Sequence, residues 1–377
     1  MTELFSVFTL FYLTVIFTLY LGVLRSKKKS EQKLSSPFHF QKVTVAIPAR
    51  NEENHIINCL TSLLRPNNLK YIERILVLND DSTDRTRSLV LNIMEKFPVV
   101  ECIDVIRNPN ENTSPKKRLI TQAISLTTTE WLVLTDADCI VQDNWIETMM
   151  THADQQTSMI CGPVEFFELG NWFIIWQKIE FAGMMQVSSG GIGIGKPTTC
   201  NAANMWIKKE DFLAVDGFSG VASIISGDDE FLMHKFQKRN PNSIHYVYTK
   251  NAVVKTYSFP TFSGFLNQRI RWASKGLLYQ SIPYRIFLIM IWLYHFLIVM
   301  GLLYAVYSPE FLPVYLLGFS AKIAIDSLIL MKSNHFLTKK IKLYQVILAQ
   351  WIQNPYIVLA GLLGTFGSFT WKGVKYK

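Results

Sequence analysis

The fold is decided by one stretch, Trp131-Leu132-Val133-Leu134-Thr135-Asp136-Ala137-Asp138, in which apolar residues lead directly into two carboxylates. This pattern is typical of a buried parallel strand whose carboxyl end opens into the crevice where α/β sheets bind ligands. Side chains alternate along a strand, so Asp136 and Asp138 are predicted to leave the chain on the same side. Paired carboxylates suit Mg²⁺ or Mn²⁺, with positions left open for substrate phosphates. In isolation, such a short motif would more often be a solvated turn.

The composition indicates a membrane protein with one sizeable soluble domain. Of 377 residues, 49% are hydrophobic and 18% charged, and the mean hydropathy is +0.17, too apolar for an ordinary soluble protein. The 5 cysteines are scattered and lack metal-ligand spacing, which favours a reduced, cytosol-facing domain over a disulfide scaffold. The net charge of +9 suits anionic lipids or phosphorylated substrates. Nucleic acid is not expected, because no compact basic block with interleaved aromatics occurs.

An uncharged segment near the N-terminus, 4–24, is long enough to span a bilayer. It ends at Arg25-Ser26-Lys27-Lys28-Lys29, and positive charge directly after a span marks the cytosolic side. A cleaved signal peptide is the alternative, but Glu3 replaces the basic start of such peptides and no small-x-small cleavage site follows. We therefore expect an uncleaved transmembrane anchor that is followed by a cytosolic domain.

Strand and helix patterns alternate after a polar linker at 30–41. Strands are predicted at 43–47, 75–78, 99–106 and 131–134, with apolar residues at helical spacing between them. This alternation predicts an α/β domain, bounded at 38–283, with a mostly parallel sheet and helices on both faces.

Polar groups follow the strands or begin the helices. Pro48-Ala49-Arg50-Asn51-Glu52-Glu53 closes the first strand, and Asn79-Asp80-Asp81-Ser82-Thr83-Asp84 follows the second and offers helix caps. Lys116-Lys117-Arg118 opens a later helix. Ser226-Gly227-Asp228-Asp229-Glu230 precedes another, where carboxylates favour the helix start and one of them can serve as a general base.

The segment Gly190-Gly191-Ile192-Gly193-Ile194-Gly195-Lys196 has the look of a nucleotide P-loop. The next residue, Pro197, lacks the hydroxyl that would meet Mg²⁺, and no clear strand precedes the glycines. We therefore reject a P-loop and expect a flexible active-site loop that leads to Cys200-Asn201-Ala202-Ala203-Asn204.

Gln268-Arg269-Ile270-Arg271-Trp272 belongs to a predicted helix. Gln268 lies three residues before Arg271 and four before Trp272, so the three share a face. An aromatic ring and a guanidinium on one face suit a sugar ring and a diphosphate. The same pattern fits an interfacial helix with a snorkelling arginine and a tryptophan at headgroup level, and the residues alone do not decide.

Three apolar stretches, 286–307, 311–331 and 344–369, make 286–369 a C-terminal membrane region. In the second stretch, Lys322 and Asp326 are spaced so that each can neutralise the other. The third is interrupted at Gln353-Asn354-Pro355, and a lysine-bearing tail follows it. We expect this stretch to be a hairpin or re-entrant segment that returns the tail to the cytosol.

Five motifs, taken in order, resemble glycosyltransferase family 2, and more closely its membrane-bound branch with a Q-x-x-R-W element. They are Ile47-Pro48-Ala49-Arg50-Asn51-Glu52, Asn79-Asp80-Asp81-Ser82-Thr83-Asp84, Asp136-Ala137-Asp138, Gly227-Asp228-Asp229 and Gln268-x-x-Arg271-Trp272. That branch includes cellulose and hyaluronan synthases and ceramide glucosyltransferase. The resemblance covers about residues 40 to 275, and five ordered motifs are far more specific than any one. It implies a GT-A fold, a nucleotide-sugar donor, a divalent metal and inversion at the anomeric carbon.

The resemblance implies roles on the donor side. Residues implied to contact the nucleotide sugar are Pro48, Glu52, Asp80, Lys117 and Asp136. Asp138, together with Asp136, would hold the metal ion, Mg²⁺ or Mn²⁺. One departure is Asn79-Asp80-Asp81-Ser82, where the family pattern is Asp-Asp-Gly-Ser, and it puts the role of Asp81 in doubt.

It implies catalytic roles as well. Asp229 would be the base, and Arg271 with Gln268 would contact the diphosphate. Trp272 would be a platform for the acceptor, and Asn204 is a second residue that we assign to the acceptor.

We therefore predict an integral membrane glycosyltransferase of the hexosyltransferase type, in a bacterial plasma membrane, with a cytosolic catalytic domain. It would transfer a sugar from a UDP-sugar donor to a lipid or lipid-linked acceptor of the cell envelope. A processive polysaccharide synthase is the alternative, although about three C-terminal spans are few to line a channel. A non-catalytic membrane sensor of nucleotide sugars is the alternative of another class, and the intact acids at every motif argue against it.

Overall fold

The computed structural model describes residues 1–32, 42–105, 113–167, 170–371 and 374–376. The chain divides into two compact units. We call one the sheet unit, which comprises 22–167 and 187–257, and the other the helical unit, which comprises 1–21, 168–186 and 258–377. Most of the predicted linker at 30–41, the predicted domain start at 38 and Ile106 of the third predicted strand lie outside the described residues.

The strands of the sheet unit are, in chain order, β1 (Val43–Ala49), β2 (Ile72–Asn79), β3 (Val100–Asp104), β4 (Trp131–Leu134), β5 (Ile140–Val141), β6 (Met159–Cys161), β7 (Val164–Phe166), β8 (Met205–Lys208), β9 (Ile244–Tyr246) and β10 (Val254–Thr256). Seven of them form a large sheet in the order β3-β2-β1-β4-β8-β6-β9. Within it, β8 is antiparallel to both neighbours and the other pairs are parallel. A small sheet has the order β5-β10-β7.

The centre of the large sheet is apolar and buried. Val45 of β1 lies opposite Ile75 of β2 and Val133 of β4, and all three side chains are buried. Parallel strands that are covered on both faces need continuous apolar sequence, which is what 131–134 has. The predicted mostly parallel α/β sheet is confirmed.

Helices lie between the strands of the sheet unit: α2 (Ile56–Leu63), α3 (Pro66–Leu69), α4 (Thr86–Met94), α5 (Pro115–Leu126), α6 (Trp145–Met150), α8 (Lys209–Ala214) and α9 (Asp228–Arg239). The long helices α1 (Thr2–Glu31) and α7 (Trp172–Gly193) contribute residues to both units.

The first glycines of the predicted flexible loop end a helix instead. Gly190 and Gly193 belong to α7, and both lie against Gly22 of α1, where a side-chain carbon would overlap a backbone carbonyl oxygen. At the same crossing, Ser26 Oγ donates a hydrogen bond of 2.7 Å to the Ser189 carbonyl. The predicted flexible loop is therefore wrong for 190–193, because these small residues serve the close contact of two helices.

The helical unit contains α10 (Phe262–Ala273), α11 (Ile282–Tyr307), α12 (Leu312–Leu330) and α13 (Leu343–Phe366), followed by β11 (Phe369–Trp371) and β12 (Val374–Tyr376), which pair as a hairpin. Among the described residues, four helical stretches are long and apolar enough to cross a membrane: Thr2–Glu31, Ile282–Tyr307, Pro309–His335 and Leu343–Phe366. All four predicted apolar stretches thus form helices of that kind.

The last apolar stretch is one continuous helix, so the hairpin predicted within it is wrong. Pro355 lies inside α13, and the preceding side chains supply polar contacts in the turn that the proline disturbs. Asn354 Nδ2 donates to the Gln350 carbonyl at 2.7 Å, and Asn354 Oδ1 lies 2.8 Å from His295 Nδ1. These bonds give polar groups next to the proline partners within the protein, and the helix continues through it.

The two charges of the second C-terminal stretch pair as predicted. Lys322 Nζ donates to Asp326 Oδ2 at 2.7 Å and to Gln350 Oε1 at 2.5 Å. Tyr12 of α1 donates to Asp326 Oδ1 at 2.9 Å. The pair therefore neutralises itself and also joins the first helix of the chain to α12 and α13.

Candidate active site

The carboxyl ends of β1, β2 and β4 meet at one edge of the large sheet, because these strands are parallel neighbours. Pro48 lies at the end of β1 opposite Leu78 of β2, and Glu52 follows in the next loop. Their predicted contact with the nucleotide remains a prediction, at the edge where such sheets bind ligands.

The loops after β1 and β2 are interlocked. Ser82 Oγ accepts from the Asn51 amide at 3.1 Å, and Asn51 Oδ1 accepts from the Thr83 amide at 2.8 Å. Thr86 Oγ1 accepts from the Glu52 amide at 2.7 Å. The loops that carry the first two motifs, after β1 and after β2, are therefore held together by hydrogen bonds.

Asp81 departs from the family pattern at a position that requires an unusual backbone conformation. Its φ is 56°, in the left-handed region that favours glycine, the residue of the family pattern. Aspartate tolerates this region better than most residues do. Asp81 therefore replaces the glycine in a structural role, and the neighbouring Asp80 keeps its place.

Asp80 is 3% exposed and is held by arginines. Its Oδ1 accepts from Arg118 Nη2 at 2.9 Å, and its Oδ2 lies 3.9 Å from Arg50 Nη1. Burial raises the pKa of the Asp80 carboxyl, and the two arginines oppose that rise. Arg118 belongs to none of the five motifs, and its signal in the sequence is its place in a basic run at the start of a predicted helix. The contact of Asp80 with uracil or ribose remains a prediction.

Asp136 and Asp138 lie in a turn, because β4 ends at Leu134. The Cys139 amide donates to the Asp136 carbonyl at 3.0 Å, and Thr256 Oγ1 donates to Asp138 Oδ2 at 3.1 Å. The prediction from strand alternation therefore does not apply to these two residues. Burial and then the charge of Asp136 raise the pKa of the Asp138 carboxyl.

These two carboxylates fit a divalent cation. Burial and the neighbouring Asp136 both disfavour a negative charge on Asp138, and a bound cation would relieve both effects. In the described ranges, no group of three or more His, Cys, Asp and Glu side chains could hold a metal ion. A cation on Asp136 and Asp138 would therefore complete its coordination with oxygens from elsewhere, as Mg²⁺ does with substrate phosphates and water.

Lys116 joins the carboxylate turn to the start of α9. Its Nζ lies 2.7 Å from Asp136 Oδ1 and 3.7 Å from Asp228 Oδ2. Burial alone would lower the pKa of Lys116, but Asp136 and Asp228 outweigh burial and the pKa is raised. The ammonium group therefore stays charged at neutral pH, between two of the predicted acidic groups.

Lys117 is fully buried, which contradicts its predicted contact with a phosphate. Its Nζ donates to the carbonyls of Val221 at 2.7 Å and Ile224 at 2.6 Å, and it lies 5.1 Å from the centroid of the Phe231 ring. Consecutive helical residues point about 100° apart, so one of two adjacent lysines faces the acids and the other the core. The sequence alone does not show which of the two adjacent lysines faces the acids, because the contacts that distinguish them are made by residues distant in the chain.

Substitution of the two lysines should separate their roles. Lys117→Met leaves buried carbonyls without a donor, which should cost roughly 2 kcal/mol or more of unfolding free energy. Lys116→Met should keep the thermal unfolding midpoint near that of the unaltered protein and weaken donor binding. Thermal unfolding in detergent and equilibrium binding of a radiolabelled nucleotide sugar measure both effects. Equal destabilisation by the two substitutions would contradict this assignment.

Three carboxylates occupy the first turn of α9, where the helix dipole favours them. Asp229 Oδ2 accepts from the Ala202 amide at 3.3 Å, and Glu230 accepts a hydrogen bond from the Thr199 hydroxyl. The segment that follows α7 therefore orients two of the three acids, and Lys116 lies beside the third, Asp228.

Asn204 is fully buried, which contradicts its predicted contact with the acceptor. Its Nδ2 donates to the carbonyls of Pro163 at 2.9 Å and Ala252 at 2.7 Å. Its Oδ1 accepts from Trp145 Nε1 at 3.1 Å. The amide joins three separate segments of the sheet unit and is structural.

The Q-x-x-R-W residues lie in α10 of the helical unit. The guanidinium of Arg269 lies 4.3 Å from the centroid of the Trp272 ring, and Arg269 donates a hydrogen bond to Gln268 Oε1. Arg269, an unspecified position of the motif, is the most buried of these three, at 3% exposed. Its spacing of four residues from Phe265 and three from Trp272 was the available signal. The roles of Gln268, Arg271 and Trp272 in binding remain predictions.

Two family models match the chain. The model described as glycosyl transferase family 2 matches residues 44–212, and the model described as glycosyl transferase family group 2 matches residues 131–363. No curated protein matches the chain significantly.

Solved structures with a similar fold include the mannosyltransferase PcManGT from Pyrobaculum calidifontis in complex with GDP-Man and Mn2+. It is 14% identical, with a TM-score of 0.53 over 96% of this chain and 98% of that chain. Residues 1–349 of S. aureus TarS are 15% identical, with a TM-score of 0.43 over 89% of this chain and 96% of that one. A longer S. aureus TarS chain is 16% identical, with a TM-score of 0.41 over 64% and 40%.

The broader family model spans more than half of the 377 residues, and it includes the carboxylate turn and the first turn of α9. The similarity to the mannosyltransferase structure extends the shared fold over nearly the whole chain. The chain therefore belongs to glycosyltransferase family 2 and is a glycosyltransferase.

Proposed function

We propose that this glycosyltransferase inverts the anomeric carbon and transfers a sugar from a nucleotide-sugar donor, expected to be a UDP-sugar, to a lipid or lipid-linked acceptor. The observation that carries the proposal is the meeting of two separate acidic groups at Lys116, namely Asp136 of the carboxylate turn and Asp228 of α9. Transfer from a sugar diphosphate needs one acidic site that holds a cation on the leaving group and another that takes the acceptor proton. The contacts of Lys116 with both acidic groups support this division of roles.

On the donor side, four residues would contact the nucleotide sugar or its metal ion. Asp136 and Asp138 would hold Mg²⁺ or Mn²⁺, which supplies charge stabilisation for the departing diphosphate. Lys116, charged and beside Asp136, can contact a phosphate oxygen of the bound donor. Asp80, fixed by Arg118, would contact the nucleoside.

On the acceptor side, Asp229 would take the proton of the attacking hydroxyl. Its carboxylate accepts a hydrogen bond from the Ala202 amide, which fixes its direction. Attack on the face of the sugar opposite the diphosphate inverts the anomeric carbon. Arg271 with Gln268 would contact the diphosphate, and Trp272 would stack on the acceptor.

A screen of radiolabelled donors against membrane lipid extracts tests this proposal. UDP-sugars come first, and GDP-sugars second, because the mannosyltransferase of similar fold was solved with GDP-Man and Mn2+. We expect label in the organic phase and a product with one added sugar. A long polymer on a gel would favour the processive synthase, and donor binding without turnover would favour the non-catalytic sensor.

Trp272→Ala should raise the KM for the acceptor more than it weakens donor binding, since an aromatic ring gives a sugar a stacking surface. We expect an increase of roughly tenfold, within the range of a lost aromatic contact. If Trp272 were only an interfacial anchor, membrane association or thermal stability would fall and the kinetics of the surviving enzyme would stay the same. Kinetics and unfolding measured on one detergent preparation distinguish these outcomes.

A hydrogen-bonded contact supports a tail on the same side of the membrane as α10. Asn267 Nδ2 donates to the Thr370 carbonyl at 2.5 Å, and the Thr370 amide donates to Asn267 Oδ1 at 2.9 Å. Three crossings by α11, α12 and α13 would separate these residues by a hydrocarbon core about 30 Å thick. We infer that only two of the three helices cross.

We propose that α13 is the helix that enters the membrane without crossing it. It is the least apolar of the four candidate spans and contains Gln350 and Asn354. Its end returns to α10, where Gly364 lies directly against Ala273. This arrangement keeps the expected integral membrane protein with a cytosolic catalytic domain, and it returns the tail to the cytosol without a hairpin.

A cysteine placed after Lys377, in a background without the five native cysteines, should resist an impermeant thiol reagent in intact cells and react after lysis. The matched control is Ser308→Cys, because Ser308 lies between α11 and α12 and should react in intact cells. Ready labelling of the added C-terminal cysteine in intact cells would establish three crossings.

A further inference from the structure

Arg269 is the centre of a buried cluster that joins three helices of the helical unit. Its Nε donates to Glu180 Oε1 of α7 at 3.0 Å, and its Nη2 donates to Glu180 Oε2. Tyr356 of α13 donates to Glu180 Oε1 at 3.1 Å. One carboxylate therefore receives hydrogen bonds from both α10 and α13, and both oxygens of that carboxylate are used.

The same guanidinium contacts two residues of the Q-x-x-R-W motif. It donates to Gln268 Oε1, and it lies 4.3 Å from the centroid of the Trp272 ring and 4.4 Å from that of Phe265. A guanidinium between aromatic rings gains cation–π attraction and restrains both rings. Trp272 is partly buried, and the guanidinium of Arg269 lies against its ring.

We propose that Arg269 is a positioning residue, which sets the Trp272 indole for sugar transfer while Glu180 and Tyr356 hold the guanidinium in place. This inference rests on the proposed role of Trp272. The planar fork of arginine is required, because it bonds both carboxylate oxygens and the amide at once and still presents a flat face to the ring. Lysine keeps the charge but has neither the fork nor the face.

The size of the effect follows from geometry. A mutation far from the reacting atoms can cost roughly 10²-fold in rate if it misplaces a substrate-positioning group by about 1 Å. A cluster that only stabilised the fold would instead lower the unfolding temperature, as the removal of one partner of a buried ion pair does. The two roles therefore predict different coupling between Arg269 and Trp272.

A double-mutant cycle of Arg269→Lys and Trp272→Ala tests the inference. Transfer is measured with the radiolabelled nucleotide sugar and the membrane lipid fraction that give the most product with the unaltered enzyme. We expect Arg269→Lys to raise the acceptor KM roughly tenfold or more and to leave donor affinity within about twofold. The double variant should be no worse than Trp272→Ala alone, because both substitutions remove the same positioning. Additive losses, or a Trp272→Ala variant with normal acceptor kinetics, would overturn the inference.

Arg74→Lys is the matched control. Arg74 also bonds both oxygens of a glutamate, Glu101, at 2.6 and 2.7 Å, but it does so between β2 and β3. Any loss from Arg74→Lys should add to that of Trp272→Ala. Coupling of the same size for Arg74 would overturn the inference, because the coupling would not be specific to the cluster.

Tyr356→Phe is the second variant, used in the same cycle if Arg269→Lys does not fold. It keeps the ring against Trp176 and Phe265 and removes the hydrogen bond to Glu180. We expect Tyr356→Phe to raise the acceptor KM less than Arg269→Lys does. In the Trp272→Ala background, Tyr356→Phe should have no further effect. An unaltered enzyme that transfers no sugar would contradict the proposed function, whereas transfer with additive losses would contradict only the positioning role.

Discussion

Asp229→Asn is expected to keep donor binding and to lose sugar transfer by roughly 10²-fold or more, the usual scale for removing a positioned general base. Asparagine has nearly the shape of aspartate, and its carbonyl oxygen can still accept the hydrogen bond from the Ala202 amide. It cannot accept the proton of an attacking hydroxyl. The loss should therefore fall on kcat, with the donor dissociation constant and the unfolding temperature close to those of the unaltered enzyme.

The neighbouring acids provide the controls for this substitution. Asp228→Asn should weaken the contact with Lys116, and Glu230→Gln the contact with the Thr199 hydroxyl, and neither should equal the loss from Asp229→Asn. Initial rates of transfer at saturating donor measure all three variants. Near-normal transfer by Asp229→Asn, with a large loss in one of the other two, would move the base to that residue.

Asp138→Asn is expected to abolish metal-dependent donor binding and to leave the fold intact. A neutral amide is a poorer ligand for a hard cation than a carboxylate is, and the cation would bridge the protein and the diphosphate. The Thr256 hydroxyl that donates to Asp138 Oδ2 can still donate to the amide oxygen. Burial and the neighbouring Asp136 both disfavour the charge on Asp138, so its removal should not lower the stability of the protein without metal.

Donor affinity with Mn²⁺, with Mg²⁺ and after EDTA treatment measures this effect. The unaltered enzyme should lose affinity with EDTA, and Asp138→Asn should show the low affinity under all three conditions. Asp84→Asn is the matched control, because Asp84 accepts from the Thr86 amide at 2.9 Å at the start of α4 and should leave the EDTA response unchanged. Donor affinity of Asp138→Asn that equals that of the unaltered enzyme and ignores EDTA would contradict the metal assignment.

The sheet was predictable because its strands are simple in sequence. A strand that is buried on both faces has to be continuously apolar, so 43–47, 75–78 and 131–134 were identified correctly within β1, β2 and β4. Parallel strands place their carboxyl ends at one edge, so the polar residues that follow them were expected to meet. The interlocked loops at Asn51 and Ser82 follow that expectation.

The contacts of single side chains were not predictable, because they depend on residues far away in the chain. Lys116 and Lys117 are adjacent and chemically identical, and only the carbonyls of Val221 and Ile224 give the buried role to Lys117. Asn204 is predicted to contact the acceptor, whereas two distant carbonyls and an indole hydrogen-bond to its amide in the core.

Helix interruptions are not predictable from local sequence for a related reason. Glycine and proline are turn signals by local propensity, but tertiary contacts overrule them here. Gly190 lies in a helix that packs closely against Gly22 of another helix. Pro355 also lies in a helix, in which the Asn354 side chain donates to the Gln350 carbonyl. The role of Arg269 is not predictable from the motif, because a motif specifies its named positions and leaves the others open.

The partition of radiolabel between aqueous and organic phases is the most direct measurement of the proposed transfer of one sugar from a nucleotide donor to a lipid. Membranes that contain the unaltered protein, a labelled nucleotide sugar and Mn²⁺ should yield a labelled lipid of inverted anomeric configuration. Membranes with Asp229→Asn should yield at least roughly 10²-fold less. Label that remains on the nucleotide, or that enters a polymer, or a product of retained configuration would contradict the account.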